Sequence, residues 1–206
     1  MPWSAGSRWS ARPTTLLVLG TGLWLFGTGE ALLVASHLGN TPWTVLAQGV
    51  SRHSSLSIGE ATLAISAVVL VGWIPLRERP GLGTIANAVV IAVAIDVMLA
   101  VLPTPDAVAG RLVEVVAAIA CIGMGSGFYL TTWLGPGPRD GWMTGLARRT
   151  GWPIAGVRLS IELTVLVAGY LLGGRVGIGT VAFALTIGHA VATAMRLLQR
   201  IPRAVT

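Results

Sequence analysis

A few ionisable side chains interrupt long apolar stretches of this sequence, and their chemistry is the first clue to function. Glu30 follows Gly-Thr-Gly in the first stretch, and Arg158 and Glu162 lie four residues apart in a later one. Charges are costly inside a bilayer, so each of these residues is a functional candidate. Glu30 would bind a cation or relay a proton, and Arg158 would bind a carboxylate or phosphate with its planar guanidinium.

Each candidate also has a structural interpretation, and the sequence leaves both open. Glu30 is equally explained as a carboxyl group hydrogen-bonded to a neighbouring helix. Residues four apart share a helix face, so Arg158 and Glu162 would form an ion pair that lowers the cost of burying both. Asp96 is expected to extend to the membrane interface. The predicted substrate-binding residues are Arg158, Glu162, Glu30 and Asn87.

Signatures of catalysis and of metal binding are missing from the sequence. It contains no His-Glu-x-x-His, no Gly-x-Ser-x-Gly and no phosphate-binding loop. Its single cysteine, Cys121, excludes an intrachain disulfide and a metal-binding cysteine cluster. We therefore expect no catalytic residue, no metal and no cofactor.

The composition predicts what must hold these side chains. Of 206 residues, 53% are hydrophobic and only 11% are charged, whereas soluble domains average about 25% charged residues. The chain is therefore expected to be an all-α integral membrane protein. Six stretches approach or exceed the roughly 20 residues that a membrane-spanning helix needs. They are residues 14–38, 57–76, 82–102, 109–133, 153–174 and 176–198.

The positive charges predict an orientation in the membrane. The net charge is +6 and every cationic side chain other than histidine is arginine. Placing both termini in the cytoplasm puts ten arginines on the inner face and three on the outer face, as the positive-inside rule requires. The tails, 1–13 and 199–206, would then be cytoplasmic in a bacterial inner membrane. Arginines scattered among connections do not form a nucleic-acid-binding stripe.

The sequence also repeats itself with a shift of 96 residues. Comparing 27–100 with 123–196 without gaps gives 22 identities over 74 positions. The identities include connections as well as spans, which divides the chain into halves 14–102 and 109–198. Each half has three spans, an odd number, so the second half would insert upside down. Inverted repeats of this kind are characteristic of secondary transporters, whose sites lie between the repeats.

Two short segments occupy equivalent places in the halves. Each begins with a Gly-x-x-Pro pattern, formed by Gly39 and Pro42 in the first half and by Gly135 and Pro138 in the second. Both continue as helices, over 42–52 and 138–149, that are too short to span. They would either lie flat, with Trp43 and Trp142 as interface anchors, or dip into the membrane.

The second short segment carries an adjacent pair of opposite charges, Arg139 and Asp140. This pair would form either a local salt bridge that closes the inner face or a solvated turn. Together with the four Gly-x-x-Pro residues, Arg139 and Asp140 make up a predicted gating or structural motif.

The segments LGNTPWTVLAQG, RPGLGT, LGPGPRDGWMTGLARRTG and LLGGRVGIGT resemble the bacterial YczE-like integral membrane proteins, which are related to the YyaS and YitT group. The resemblance covers residues 16–198. It implies a polytopic membrane protein and no particular substrate.

These observations favour a small secondary transporter for an anionic or zwitterionic solute. The alternative is a membrane accessory protein that scaffolds or regulates a partner without transporting anything. The expected partners are the lipid bilayer, a small solute or ion, and a second copy of the chain in a homo-oligomer.

Overall fold

The computed structural model describes residues 1–200, so most of the predicted 199–206 tail lies outside the described residues. The fold is all-α, and six membrane-length apolar segments confirm a polytopic membrane protein. Helices α3 and α4, separated at Gly72, form one of these segments. The helices are α1 (Pro13–Ser36), α2 (Pro42–Arg52), α3 (Ile58–Val71), α4 (Trp73–Leu76), α5 (Leu82–Val101), α6 (Val108–Thr131), α7 (Pro138–Thr150), α8 (Ile154–Leu171) and α9 (Ile178–Gln199).

Helix starts follow from local sequence. Proline occupies the first turn of α1, α2 and α7, where its missing N–H and fixed φ suit a helix start. The Thr41 side chain caps α2 by accepting from the Thr44 amide. Ser57 and Glu60 form a reciprocal capping box at α3.

Helices α1 and α6 pack closely because a glycine stands at each of their tightest contacts. A Cβ atom at Gly125 would lie 2.6 Å from the Gly22 carbonyl oxygen, and one at Gly29 would lie 2.7 Å from the Ala118 carbonyl oxygen. Small residues permit this close backbone approach in membrane helices. A shift of 96 residues converts one contact into the other, because Gly29 corresponds to Gly125 and Gly22 corresponds to Ala118.

The loops after α1 and α6 share an unusual backbone conformation. Gly39 has φ +116° and Gly135 has φ +114°, a region that disfavours side chains. Each of these glycines lies against a glycine of the opposite half, Gly177 and Gly81 respectively. A side chain at either loop glycine would therefore be both strained and crowded.

Backbone hydrogen bonds join each of these loops to a helix start in the other half. The Gly179 amide donates to the Leu38 carbonyl oxygen at 2.8 Å. The Gly83 amide donates to the Leu134 carbonyl oxygen at 2.9 Å. Positions 96 residues apart thus make the same bond, and the halves are interlocked at both ends.

The spans form an incomplete ring. Helix α1 packs on α5 and α6, α6 packs on α9, and α5 packs on α3, while α2 connects α3 with α8. In the second half, α8 and α9 are the counterparts of α3 and α5. These two helices have almost no contact with each other. The ring is therefore closed between α3 and α5 and open between α8 and α9.

A polar clamp closes the α3–α5 junction. The Asp96 carboxylate accepts from the Ser57 hydroxyl at 2.5 Å and from the Gly59 amide at 2.8 Å. Asp96, which is expected to extend to the interface, caps the start of α3, because the free amides there attract a carboxylate. The positions equivalent to Ser57 and Asp96 are Pro153 and Ala192, which cannot form such a clamp.

Residues 1–12 pack against the bundle ahead of α1. The Trp3 indole donates to the Thr131 hydroxyl at 3.0 Å, at the end of α6. The Arg8 guanidinium donates to the Arg79 carbonyl oxygen at 2.9 Å, just before α5. This N-terminal segment therefore joins the end of α6 to the residues just before α5.

Candidate functional site

A cavity of about 200 Å³ lies where helices from both halves meet. Helices α1, α2 and α5–α9 all contribute to its wall. All four residues of the predicted substrate-binding set line it, and so do both charged residues of the predicted motif. Its polar and charged lining consists of Glu30, Thr41, Asn87, Ser126, Tyr129, Arg139, Asp140, Arg158 and Glu162.

Glu30 is the most deeply buried charged residue of the cavity. Its side chain is fully inaccessible, and Oε2 accepts from the hydroxyls of Thr41 at 2.9 Å and Thr44 at 2.6 Å. Its other oxygen, Oε1, has no hydrogen-bond partner among residues 1–200. Oε1 lies 3.8 Å from Nη1 of Arg139, which is beyond hydrogen-bond length. One carboxylate oxygen is therefore left for a donor.

Arg139 lies at the point where the two short helices meet. Its guanidinium carbon is 5.2 Å from the centroid of the Trp43 ring, within the range of a cation–π interaction. Burial lowers the pKa of the Arg139 guanidinium, and the carboxylates of Glu30 and Asp140 oppose that shift. Trp43 and Arg139 are 96 residues apart, so equivalent positions of the halves touch each other.

The expectation that Arg139 and Asp140 form a local salt bridge or a solvated turn is wrong. Asp140 accepts a hydrogen bond from the buried Tyr129 hydroxyl, whereas Arg139 faces Glu30. The reason is that Pro138 starts α7 inside the bundle, so the first turn of the helix points both charges into the cavity.

Trp43 is not the interface anchor that a flat-lying α2 would require. Its side chain is only 5% exposed, because the Glu30 carboxylate holds the threonines at the start of α2 inside the bundle. The helix then runs outward to Arg52, which donates to the Gly173 carbonyl oxygen. Trp142 is half-buried and lies against Gly72.

Arg158 and Glu162 form the ion pair that their spacing predicts, with 2.9 Å between Nε and Oε1. The Arg158 side chain is nevertheless 54% exposed. On α9, Phe183, Ile187 and Val191 line the same cavity. The cavity is thus lined by α8 and by α9, two helices that barely touch each other.

The remaining predicted motif residues have defined places, while their gating role stays a prediction. Pro42 lines the cavity, and Gly39 and Gly135 form the two interlocking loops. The Thr84 hydroxyl donates to the Pro136 carbonyl oxygen at 2.7 Å, which holds the second loop just before Pro138.

Sequence reasoning missed several residues of the site. Thr41 and Thr44 bind Glu30, and Tyr129 binds Asp140, yet their types alone do not distinguish them from ordinary membrane-helix residues. The signal that would have found Thr44 is the repeat itself, since a shift of 96 aligns Thr44 with Asp140. No such signal exists for Tyr129.

The cavity has the chemistry of a charge-binding site. Within residues 1–200, no group of three or more His, Cys, Asp or Glu side chains is placed to hold a metal ion. Carboxylates and guanidinium groups instead line the cavity together. Such a site can bind a small molecule that carries both a positive and a negative group.

Fold and site together define a polytopic helical membrane protein with a charged cavity between its two halves. The chain belongs to a family of unknown function (DUF6198), whose model matches residues 13–196. This membership agrees with the resemblance carried by the Gly-Pro segments.

Curated relatives match most of the chain. A protein of Haemophilus influenzae named "Uncharacterized protein" is 42% identical over 200 residues, covering 97% of this chain and 92% of the relative. The "Uncharacterized membrane protein YczE" of Bacillus subtilis is 33% identical, covering 88% and 82%. "Uncharacterized protein YyaS" of the same species is 27% identical, covering 78% and 82%. No solved structure matches the chain.

Proposed function

We propose that this protein is a secondary transporter, and not an enzyme, for a small zwitterionic solute. Two inverted three-span halves would form it in the bacterial inner membrane, with both termini in the cytoplasm. One observation carries the proposal: the N-terminal ends of two short helices, one from each half, meet in a charged cavity beside Glu30 Oε1, which accepts no hydrogen bond from residues 1–200. Transporters commonly bind their substrates between repeats at such helix ends.

The contacts between the halves support an inverted repeat. The Gly29–Ala118 contact becomes the Gly125–Gly22 contact under the 96-residue shift. Trp43 and Arg139, which are equivalent positions, touch each other. A twofold axis between the halves produces both kinds of contact. Residues on the axis touch their own counterparts, and every contact away from the axis occurs twice with the halves exchanged. Three spans per half would place that axis in the membrane plane.

The charges of the cavity support a zwitterion as substrate. Glu30 Oε1 offers an acceptor for an ammonium group. Arg139 and Arg158, with the positive ends of the α2 and α7 dipoles, offer partners for a carboxylate or phosphate. A volume of about 200 Å³ lies below the roughly 300–1,000 Å³ of drug-sized pockets, so the charged part of the solute must be small.

The loose Glu30–Arg139 pair supplies a binding step. Because 3.8 Å separates its nearest atoms, an arriving ammonium group can take the place of Arg139 at Glu30 Oε1. Arg139 is then released toward the anionic group of the same solute. Binding would thus loosen a contact between the halves, which is the change that alternating access requires.

Uptake into proteoliposomes tests this function. The purified protein would be reconstituted and offered radiolabelled glycine, alanine, glutamine and phosphoethanolamine. We expect uptake of at least one zwitterion above protein-free liposomes. Glu30→Gln removes a charge-assisted bond of about 1.5–3 kcal/mol, so it should lower the apparent affinity for that solute roughly 10- to 100-fold.

Glu78→Gln is the matched control for that variant. Glu78 also pairs with an arginine, the exposed Arg148, but neither residue lines the cavity. Its substitution should leave uptake near that of the unmodified protein. Absence of uptake for every solute, or equal effects of the two substitutions, would contradict the proposal and favour the non-transporting accessory role.

A further inference from the structure

We infer that the cavity opens sideways into the lipid between α8 and α9, and that the solute bound there is an amphiphile, a zwitterionic head group carrying one apolar chain. The identity of the solute rests on the proposed transport function, whereas the opening does not. The positions of the charged cavity, the gap and its two walls carry the inference.

The gap follows from differences between the repeats. At the closed junction, Gly59 is so close to the Ala92 carbonyl oxygen that a Cβ atom there would overlap it. The equivalent positions in the second half are Ala155 and Gly188. A Cβ atom at Gly188 would meet nothing within 4 Å, and the Asp96 clamp has no counterpart. The sequence of the second half therefore provides nothing to close its junction.

The two walls of the gap match an amphiphile. On α8, the Arg158 side chain is more than half exposed, although it belongs to a membrane-spanning helix where a charge is costly. On α9, Phe183, Ile187 and Val191 provide an apolar wall to the same cavity. An anionic group beside Arg158 and an alkyl chain along α9 would satisfy both walls at once.

The cavity is large enough for the head group but not for the alkyl chain. About 200 Å³ holds a small head group whose ammonium reaches Glu30 Oε1. A chain of several methylenes then has to leave through the gap, since α3 and α5 close the opposite side of the ring. Head group and chain are thus placed by different parts of the same site.

Quenching by lipid-borne labels tests the opening without requiring transport. Ile187 on α9 and Ile91 on α5 are equivalent positions, and both line the cavity. Each would be replaced by cysteine in a Cys121→Ala background, labelled with bimane and reconstituted with phospholipid spin-labelled on its acyl chain. We expect at least threefold stronger quenching at 187 than at 91.

A second matched pair, Phe183→Cys and Asn87→Cys, repeats the test if either isoleucine variant does not fold. Equal quenching at equivalent positions overturns the opening. The opening is also overturned if position 187 is protected from quenching and cysteines at 187 cross-link two copies of the chain. A second chain would then occupy the gap.

Chain dependence of binding tests the class of solute. The probes are glycerophosphoethanolamine and lysophosphatidylethanolamine with a 12-carbon chain, which share a zwitterionic phosphodiester head group. Each methylene that leaves water stabilises the complex, so the monoacyl form should compete for the site at least about tenfold more tightly. Binding would be followed by protection of Phe183→Cys from maleimide.

The variants and outcomes separate the two proposals. Glu30→Gln should weaken both probes, and Glu78→Gln should weaken neither. Equal affinities for the two probes overturn the amphiphile and leave a water-soluble zwitterion as substrate. Absence of uptake together with strong quenching at 187 overturns the transport function alone.

Discussion

The α3–α5 junction and the α8–α9 gap occupy equivalent places in the two halves, but their sequences give them opposite properties. At the junction, Asp96 holds the start of α3, and Gly59 permits close backbone contact. In the gap, Pro153 and Ala192 stand at the positions of Ser57 and Asp96. Two helix pairs with related sequences thus differ in contact because a few polar and small residues differ.

The largest expected effect comes from breaking the clamp with Asp96→Ala. The substitution leaves the Ser57 hydroxyl and the Gly59 amide without their acceptor, and removes a charge-assisted bond. We expect a loss of about 2–4 kcal/mol in the free energy of unfolding. Unfolding of the detergent-solubilised protein by a chemical denaturant, followed by tryptophan fluorescence, measures it.

Asp106→Ala is the control for that variant, because Asp106 is an exposed carboxylate in the loop after α5. It should change stability by less than about 0.5 kcal/mol, as surface substitutions usually do. Equal losses for the two alanine variants would show that the clamp does not close the junction.

A smaller effect is expected from adding a methyl group at the α3–α5 junction and, separately, in the α8–α9 gap. Gly59→Ala forces a Cβ atom against the Ala92 carbonyl oxygen, and overpacking of this kind costs about 1–3 kcal/mol. Gly188→Ala places its methyl group in open space in the gap and should be neutral or stabilising by up to about 1 kcal/mol. The same unfolding measurement checks both variants, and an equal cost at the two positions would contradict the difference between junction and gap.

The smallest effect is expected from building the clamp into the second half. Pro153→Ser and Ala192→Asp would supply the missing hydroxyl and carboxylate. Ala192→Asp alone should destabilise the protein, since it adds a charge to a membrane span. The two changes together should recover about 1 kcal/mol as a coupling energy in a double-mutant cycle. A coupling of zero would mean that α8 and α9 cannot approach.

The helices themselves could be predicted almost completely. The stretch 82–102 corresponds to α5 (Leu82–Val101), and 42–52 corresponds to α2 (Pro42–Arg52). Hydrophobic length defines a span, and proline and glycine define where it begins or ends, so these features are local. The break at Gly72 between α3 and α4 has no signal in the sequence, because Pro75 suggests a helix end only several residues later.

The site could be predicted only in part. Charges within spans pointed to Glu30 and to the Arg158–Glu162 pair, because the cost of burying a charge is visible from sequence. Which way a short helix points is not visible, since it depends on a distant partner. The sequence therefore suggests that Trp43 is an interface anchor. In the structure, the Glu30 carboxylate on α1 instead holds the start of α2 inside the bundle.

The packed N-terminal segment has a consequence for biogenesis. Trp3 and its partner Thr131 are 128 residues apart in the chain, and translation at about 5–20 residues per second separates them by roughly 6–26 seconds. During that interval the first residues emerge without the surface that later receives them. Arg79 and Leu82 of the first half offer contacts to Arg8 earlier, but only insertion of α6 completes this surface, so attachment of Trp3 reports that the first span of the second half has arrived in the membrane.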